Sequence, residues 1–193
     1  MDWLGWEPIL KKELVAGMER APDVSKAHGL DHIVRVWSRC LKLGIKLDAD
    51  LEVLLAATYL HDLGRHYGLD IHGEKSAMLA GQILERINFP EKKVKKALDV
   101  IRLHDHHTPA GKRTQIEEQI LYDADKLDSF GAVGVARFIT YYYLREKSIE
   151  MIIEQVEKRY KDLHFKESRE LAQESYQYTI DFFKKLRGDL RVE

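Results

Sequence analysis

The run LEVLLAATYLHDLG at residues 51–64 constrains the fold more than any other segment of the chain. A helix over residues 51–60 would be apolar on nearly every face, and such a helix is normally buried among others. The run ends in His61 and Asp62. Because the helix is expected to be buried, both side chains should emerge from the core and not from the protein surface. Because a carboxylate is costly to bury unless it is paired or coordinated, this position predicts a metal site or a helix-terminal ion pair.

Helical periodicity extends along the rest of the chain. Almost no segment alternates strictly between apolar and polar residues, and the 193 residues include only four prolines, so we predict an all-α fold. Pro8 is expected to open the first helix, Asp31 to cap the second and Gly44 to end it. The expected helices cover about 7–20, 31–43, 48–62, 73–88, 91–104, 115–129, 135–146, 148–162 and 167–187, and the third could start at either Asp48 or Asp50.

Length and composition favour one soluble domain over residues 1–193, since the chain can bury a substantial core and has no repeat or low-complexity linker. A net charge of −1 excludes a global attraction to nucleic acid or to an anionic membrane. The single cysteine, the lack of a signal-peptide pattern and the lack of an apolar run of about 18 residues predict a cytoplasmic protein.

Histidines and aspartates recur in separate segments. Eight of the nine histidines lie between residues 28 and 107. The dipeptide His-Asp is weak evidence by itself, because it occurs both at 61–62 and at 104–105. Imidazole nitrogen and carboxylate oxygen both coordinate divalent ions, and such an ion activates water for hydrolysis. The ordered signals of interest are His32, His61-Asp62, His104 and Asp125.

This order resembles the HD superfamily of metal-dependent phosphohydrolases, in particular its small stand-alone bacterial and archaeal members. The resemblance implies a compact HD-domain helical bundle with additional C-terminal helices. It places the motif core at about 29–137 and a helical extension at about 138–190. The segments that carry it are AHGLDHIVRV, YLHDLGR, IHGEKSA, IRLHDHH and LYDADKLDSFGAVGVAR.

The resemblance also implies the metal ligands, which are His32, His61, Asp62 and Asp125, with His28 as an alternative for the first. Two nitrogen and two oxygen donors suit Mn, Fe, Co, Ni or Zn, whereas Mg prefers an all-oxygen shell. We expect manganese on the resemblance alone. The bound ion would lower the pKa of a water molecule and polarise a phosphoryl oxygen.

His72 and His104 occupy the intervals in which two-metal members of the superfamily hold a second ion. In one-metal members such residues contact the phosphate or donate a proton to the leaving oxygen. We expect one metal, with His104 as a proton donor or phosphate contact. If both histidines bind a second iron, the same pattern predicts a di-iron oxygenase. A further alternative is a non-catalytic regulator that binds metal or nucleotide.

A phosphate also requires nearby cations, because arginine offers it two parallel hydrogen bonds and lysine a point charge. The candidates are Arg65, Lys75, Lys126 and Arg137, each of which could equally be a solvated surface cation. Asp128 is predicted to lie on the substrate side or to pair with Lys126 or a neighbouring arginine. The role of Asp123 stays open.

The expected function is hydrolysis of a phosphate ester or anhydride of a small substrate, most simply a nucleotide, by a phosphatase, pyrophosphohydrolase or phosphodiesterase. No dedicated nucleic-acid or membrane partner is expected. The long C-terminal helix, with Tyr178, Phe182 and Phe183, could form a homodimer face as readily as it closes the core. The expected catalytic residues are Asp62, His104, Arg65 and Lys126, and the expected substrate contacts are Arg65, His72, Lys75, His104 and Asp128.

Overall fold

The computed structural model describes residues 3–19, 29–67, 72–105 and 107–190. Within these ranges the chain forms nine α-helices and no strand, which confirms the all-α prediction. No helix of the described ranges has both the length and the apolar character needed to cross a membrane. The helices are α1 Trp3–Glu19, α2 Leu30–Lys46, α3 Leu51–Leu60, α4 Gly73–Arg86, α5 Glu91–Leu103, α6 Ile116–Leu127, α7 Gly131–Tyr141, α8 Ile149–Lys161 and α9 Lys166–Asp189.

The chain forms two compact units, residues 1–122 and 123–193, and the division in sequence falls within α6. In the first unit α3 packs against α1, α2 and α5, while α4 packs against α5. In the second unit α9 packs against α7 and α8. The expectation of a single domain over the whole chain stays a prediction.

Helix α3 is the central helix of the first unit. All eight residues from Val53 to Leu60 are buried, as expected for a helix without a polar face. Asp50 caps its N-terminus, since its Oδ1 accepts hydrogen bonds from the backbone N–H groups of Glu52 and Val53 at 3.1 and 3.3 Å. The helix ends at Leu60, so the next two residues lie directly at its buried C-terminus.

Helix α1 starts earlier than predicted. The helix begins at Trp3 and contains Pro8 in its interior, so the expectation that Pro8 opens it is wrong. The ring of Trp3, in the first turn, lies edge-on to that of Trp37 on α2, with centroids 5.4 Å apart. The predicted end of the helix before residues 21–23 lies outside the described residues.

Glycine has a packing role in α2 that the sequence prediction missed. The helix passes through Gly44 and ends at Lys46. A Cβ at residue 44 would lie 2.8 Å from the side chains of both Leu51 and Leu54, so this glycine permits close contact between α2 and α3. The predicted cap is also wrong, because Gly29 is the N-cap and Asp31 lies in the first turn.

The second unit has its own apolar core, to which α7, α8 and α9 all contribute. Helix α7 begins at Gly131 rather than at residue 135 and ends at Tyr141. On α9, Phe183 is fully buried, Phe182 packs partly against the core and Tyr178 is 51% exposed. The three aromatic residues considered for a dimer face therefore do not share one exposed surface, and the homodimer stays a prediction.

Candidate metal centre

Four histidines of the first unit surround the carboxylate of Asp62. His32 and His61 direct their Nε2 atoms at its Oδ2, at 3.6 and 3.5 Å. His72 and His104 direct their Nε2 atoms at its Oδ1, at 2.8 and 3.7 Å. All five side chains are buried. These five residues are called the Asp62 cluster below.

The ends of four helices supply the Asp62 cluster. His32 lies in the first turn of α2, and His61 is the C-cap of α3. His72 is the N-cap of α4, and His104 is the C-cap of α5. Because α3 packs against α2 and α5, and α4 against α5, these helix ends meet at one place. The structure thus brings together residues that are far apart in sequence.

Backbone carbonyls orient two of the imidazole rings. The Nδ1 atom of His61 lies 2.8 Å from the carbonyl oxygen of Thr58, and that of His104 lies 2.6 Å from the carbonyl oxygen of Ile101. A carbonyl oxygen only accepts, so each Nδ1 carries the hydrogen. Each Nε2 is directed at Asp62 and is the ring nitrogen left to bind a metal ion.

His72 lies between two carboxylates. Its Nε2 is 2.8 Å from Asp62 Oδ1, and its Nδ1 is 3.2 Å from Asp105 Oδ2. Burial lowers the pKa of His72, but the hydrogen bonds to Asp105 and Asp62 outweigh burial and raise this pKa to about 9. At neutral pH the metal-free ring is therefore a cation, and its Nε2–H also lies 3.0 Å from the Nε2 of His104.

The donor atoms form two groups that fit a metal ion. One consists of His32, His61 and Asp62, and the other of Asp62, His72 and His104. Within each group the donor atoms lie within 4.8 Å of one another. Mixed imidazole and carboxylate donors suit divalent transition metals and zinc, so these side chains fit the kind of ion that the sequence predicts.

Arg65, one of the predicted phosphate-binding cations, lies beside the Asp62 cluster. Its Nε is 3.6 Å from Asp62 Oδ1, and its side chain is 13% exposed. The Nζ of Lys75 lies 5.2 Å from the ring centroid of Tyr67, an arrangement typical of a cation–π contact. Neither contact tests a role in binding phosphate, which stays a prediction for both residues.

Asp125, the predicted fourth ligand, lies near the end of α6 in the second unit. Its Oδ2 accepts a hydrogen bond from Lys126 Nζ at 2.5 Å, and both residues are buried. The roles predicted for them, as metal ligand and catalytic cation, stay predictions. His28, the alternative first ligand, lies outside the described residues.

The other two aspartates of this segment have structural partners. Asp123 is fully buried and accepts hydrogen bonds from the backbone N–H groups of His164 and Phe165, which precede α9. The buried carboxylate of Asp128 pairs with Arg137, whose Nη1 lies 2.8 Å from Oδ2. This ion pair is the alternative that the sequence left open for Asp128, and its substrate role stays a prediction.

Asp105 and Arg113 are two residues near the cluster that the sequence analysis missed. Asp105 contacts His72, as described above. Arg113 is buried, donates hydrogen bonds to the carbonyl oxygens of Leu103 and Thr108 at 2.9 and 3.2 Å, and lies over the ring of Tyr122. The available signal was the second His-Asp pair at 104–105, which by itself cannot be told from chance.

Comparison with known proteins reveals relatives of the same fold. The chain is 27% identical over 183 residues to YpgQ, an uncharacterized protein of Bacillus subtilis strain 168, with 87% of each chain covered. The crystal structure of B. subtilis YpgQ in complex with ADP superposes with a TM-score of 0.74 at 21% identity, covering 95% of this chain and 97% of that one. A predicted HD superfamily hydrolase from an uncultured Thermotogales bacterium gives 0.66 at 23% identity, covering 95% and 92%.

The family match covers the segments that carry the candidate site. Residues 29–129 match the HD domain family, which is more than half of the 193 residues. The matched stretch includes the whole Asp62 cluster as well as Asp125. The resemblance inferred from the sequence motifs is confirmed, and the chain belongs to the HD domain family.

Proposed function

We propose that the protein is a metal-dependent phosphohydrolase that acts on a small phosphorylated substrate, namely a nucleotide. The observation that carries this proposal is the convergence of four imidazole Nε2 atoms on the single carboxylate of Asp62. A buried cluster of this composition is suited to holding an ion that activates water. The complex of B. subtilis YpgQ with ADP supports a nucleotide as the ligand.

His32, His61 and Asp62 would hold the ion, with Asp125 proposed as the fourth ligand. When bound, a divalent ion supplies a Lewis acid that lowers the pKa of a water molecule and neutralises charge on a phosphoryl oxygen. Manganese is the proposed metal on family resemblance, and the mixed donor set also suits Fe, Co, Ni or Zn.

His72 and His104 would carry protons beside the ion. In the metal-free protein the ring of His72 carries a proton on Nε2, and this atom lies 3.0 Å from the Nε2 of His104. The Nδ1 of His104 is bonded to the carbonyl oxygen of Ile101, so its Nε2 would be the atom that exchanges a proton with His72. This pair can therefore deliver a proton to a leaving oxygen. Arg65, next to Asp62, would add positive charge for the phosphate.

A di-iron oxygenase is the second candidate function. It is favoured by one observation, namely that Asp62, His72 and His104 form a second group able to hold an ion. The two functions differ in stoichiometry, because the oxygenase requires two irons per chain. The hydrolase with both histidines on the substrate side requires one ion.

Metal analysis of the purified protein, combined with a nucleotide screen, tests this proposal. The screen covers nucleoside mono-, di- and triphosphates and detects phosphate and pyrophosphate separately. We expect one equivalent of manganese and release of one of these products. Two irons per chain with dioxygen consumption would instead support the oxygenase. A metal-loaded protein that hydrolyses no phosphorylated compound would overturn the proposal.

A variant with an altered surface carboxylate controls for unspecific effects. Asp99 lies on α5, pairs with Arg102 at 2.7 Å and is outside the Asp62 cluster. Asp99→Asn is expected to keep the metal content and turnover of the wild type. His61→Ala is expected to lose both, because its Nε2 faces Asp62 from the buried end of α3.

A further inference from the structure

The imidazoles of the Asp62 cluster differ in what holds their Nδ1 atoms. His61 and His104 each follow the end of a helix, where the last carbonyl groups lack intrahelical partners, and these carbonyls accept from Nδ1. His72 instead precedes a helix, as the N-cap of α4. A helix N-terminus presents N–H donors rather than acceptors, so the ring of His72 requires an acceptor from another segment.

We propose that Asp105 is the positioning residue of His72 and replaces the helix-end carbonyl that orients the rings of His61 and His104. Its Oδ2 lies 3.2 Å from His72 Nδ1 and 3.3 Å from the backbone nitrogen of the same residue. One oxygen therefore accepts hydrogen bonds from both the ring and the main chain. The other oxygen accepts a hydrogen bond from the backbone N–H of His107 at 3.1 Å.

Close backbone contacts fix the position of His72 relative to the end of α5, which lies just before Asp105 in the chain. A Cβ on Gly73 would lie 2.5 Å from the carbonyl oxygen of Arg102, so the start of α4 touches the end of α5 directly. A Cβ on Gly64 would lie 2.8 Å from the carbonyl oxygen of His72. Because neither contact has room for a methyl group, the backbone of His72 is fixed on two sides.

Arg113 fixes the segment that carries Asp105. Its Nη1 donates hydrogen bonds to the carbonyl oxygens of Leu103 and Thr108, on either side of Asp105. Its guanidinium carbon lies 3.7 Å from the ring centroid of Tyr122. Asp105 is only 3% exposed, so its carboxylate is held in place and shielded from water. A hydrogen bond to such an ionised acceptor is about twice as strong as one to a neutral acceptor.

The consequence is a fixed direction for the His72 ring. With Nδ1 bonded to Asp105, Nε2 is directed at Asp62 and His104. Without Asp105 the ring can turn over, which would place a ring carbon where Nε2 now lies. This inference rests on the proposed function only in that it gives His72 a task at the centre, since the orientation itself exists in the metal-free protein.

The test measures ring orientation and turnover separately. The full chain is labelled with ¹⁵N at histidine, and the His72 ring signals are assigned by their loss in His72→Gln. In metal-free Asp105→Ala, both His72 ring nitrogen signals are expected to move while those of His61 stay in place. In the metal-loaded protein kcat is expected to fall roughly 10- to 100-fold, the range for losing a partner that orients a histidine at a metal site.

A second variant covers the case in which Asp105→Ala does not fold. Asp105→Asn has nearly the same shape but lacks the charge, so the His72 Nδ1 signal is expected to move in it as well. Unmoved His72 signals in a folded Asp105 variant would overturn the proposal and leave Asp105 as a stabiliser of its loop. Asp99→Asn is the matched control on α5 and is expected to leave all histidine signals unchanged.

The two measurements, NMR of the metal-free protein and kcat of the metal-loaded protein, can fail independently of each other. The NMR arm uses no metal and no substrate, so it decides whether Asp105 orients His72 even if the protein hydrolyses no nucleotide. A moved His72 signal with unchanged kcat would overturn the positioning role in turnover. It would not affect the assignment of the hydrolase itself.

Discussion

The Asp62 cluster and the aspartates of residues 123–128 are built in opposite ways. In the cluster, residues from four separate segments converge on one carboxylate. In the second region, three aspartates that are neighbours in sequence have three different partners, which are the backbone before α9, Lys126 and Arg137. Asp123 and Asp125 lie two residues apart on α6 and therefore point in different directions, and Asp128 follows the end of this helix, whereas the ends of separate helices can meet. In this molecule the packing of helices, rather than proximity in sequence, brings polar side chains together on one carboxylate.

The largest expected effect is loss of the carboxylate on which the cluster converges. Asp62→Ala is expected to abolish metal binding and to lower turnover by more than roughly 100-fold, since loss of a mere supporting partner costs 10- to 100-fold. Its helical circular dichroism should stay largely intact, because Asp62 follows α3 rather than lying within it. Metal content and hydrolysis are the measurements, and retained metal binding would reduce Asp62 to an ion-pair partner.

The variant Asp125→Ala tests whether the second region contributes a metal ligand to the Asp62 cluster. We expect the same loss of metal and turnover, on the prediction that Asp125 is the fourth ligand. If this variant keeps its full metal content and affinity, Asp125 is not a ligand. The aspartates of residues 123–128 would then have no part in metal binding.

Asp123→Ala is expected to affect stability instead of metal binding. The fully buried carboxylate accepts hydrogen bonds from two backbone N–H groups and from the ring of His164, at 2.9–3.0 Å. Its removal leaves these donors without their acceptor and should lower the free energy of unfolding by about 3–5 kcal/mol. Urea denaturation measures the loss. An Asp123 variant that is fully stable but devoid of metal would contradict the structural role.

The pH dependence of stability isolates His72. Its pKa is about 9 in the metal-free fold, against an ordinary value of 6.5. Because the folded pKa is raised, the stabilisation is complete below pH 6.5 and disappears as the pH rises through 9. The difference corresponds to about 3 kcal/mol. The gap in unfolding free energy between wild type and His72→Gln should shrink over this range, and a gap independent of pH would show that the ring is neutral. The exposed His107, changed to Gln, provides the control.

The Asp128–Arg137 pair should give the smallest effect. A double-mutant cycle with Asp128→Asn and Arg137→Gln is expected to yield a coupling of about 2 kcal/mol, because the carboxylate is buried while the arginine is partly exposed. A negligible coupling in unfolding free energy, together with a raised KM for the substrate in both single variants, would favour the predicted substrate role over the structural one.

The sequence was sufficient to predict the helical fold and the centre of the first unit, but not the bounds of α1, α2 and α7. A run without a polar face predicts a buried helix, and residues Val53 to Leu60 are indeed all buried. The same run predicts that His61 and Asp62 emerge at a buried helix end, where the structure places them. These features depend on local periodicity and on the cost of burying charge, both of which a single sequence contains.

Tertiary contacts determine what the sequence could not reveal. In the sequence, Gly44 is typical of a helix end, but it lies inside α2. It is needed there because the side chains of Leu51 and Leu54 leave no room for a Cβ. Asp105 belongs to a His-Asp pair that composition alone can produce, and only the approach of α4 to α5 gives it His72 as a partner. Likewise, nothing near Asp123 in sequence indicates that the residues before α9 would meet it.

The carboxylate of Asp62 is shared by both pairs of imidazoles, so metal binding at one pair should be linked to protonation at the other. It faces one pair of imidazoles with Oδ2 and the other pair with Oδ1. A cation at the first pair and a proton at the second are attracted by the same negative charge, so each weakens the other by an equal free energy. Loading with metal should release protons into the solution, and acidification should expel metal. The metal content of the purified protein should therefore depend on the pH of the buffer as well as on the metal concentration.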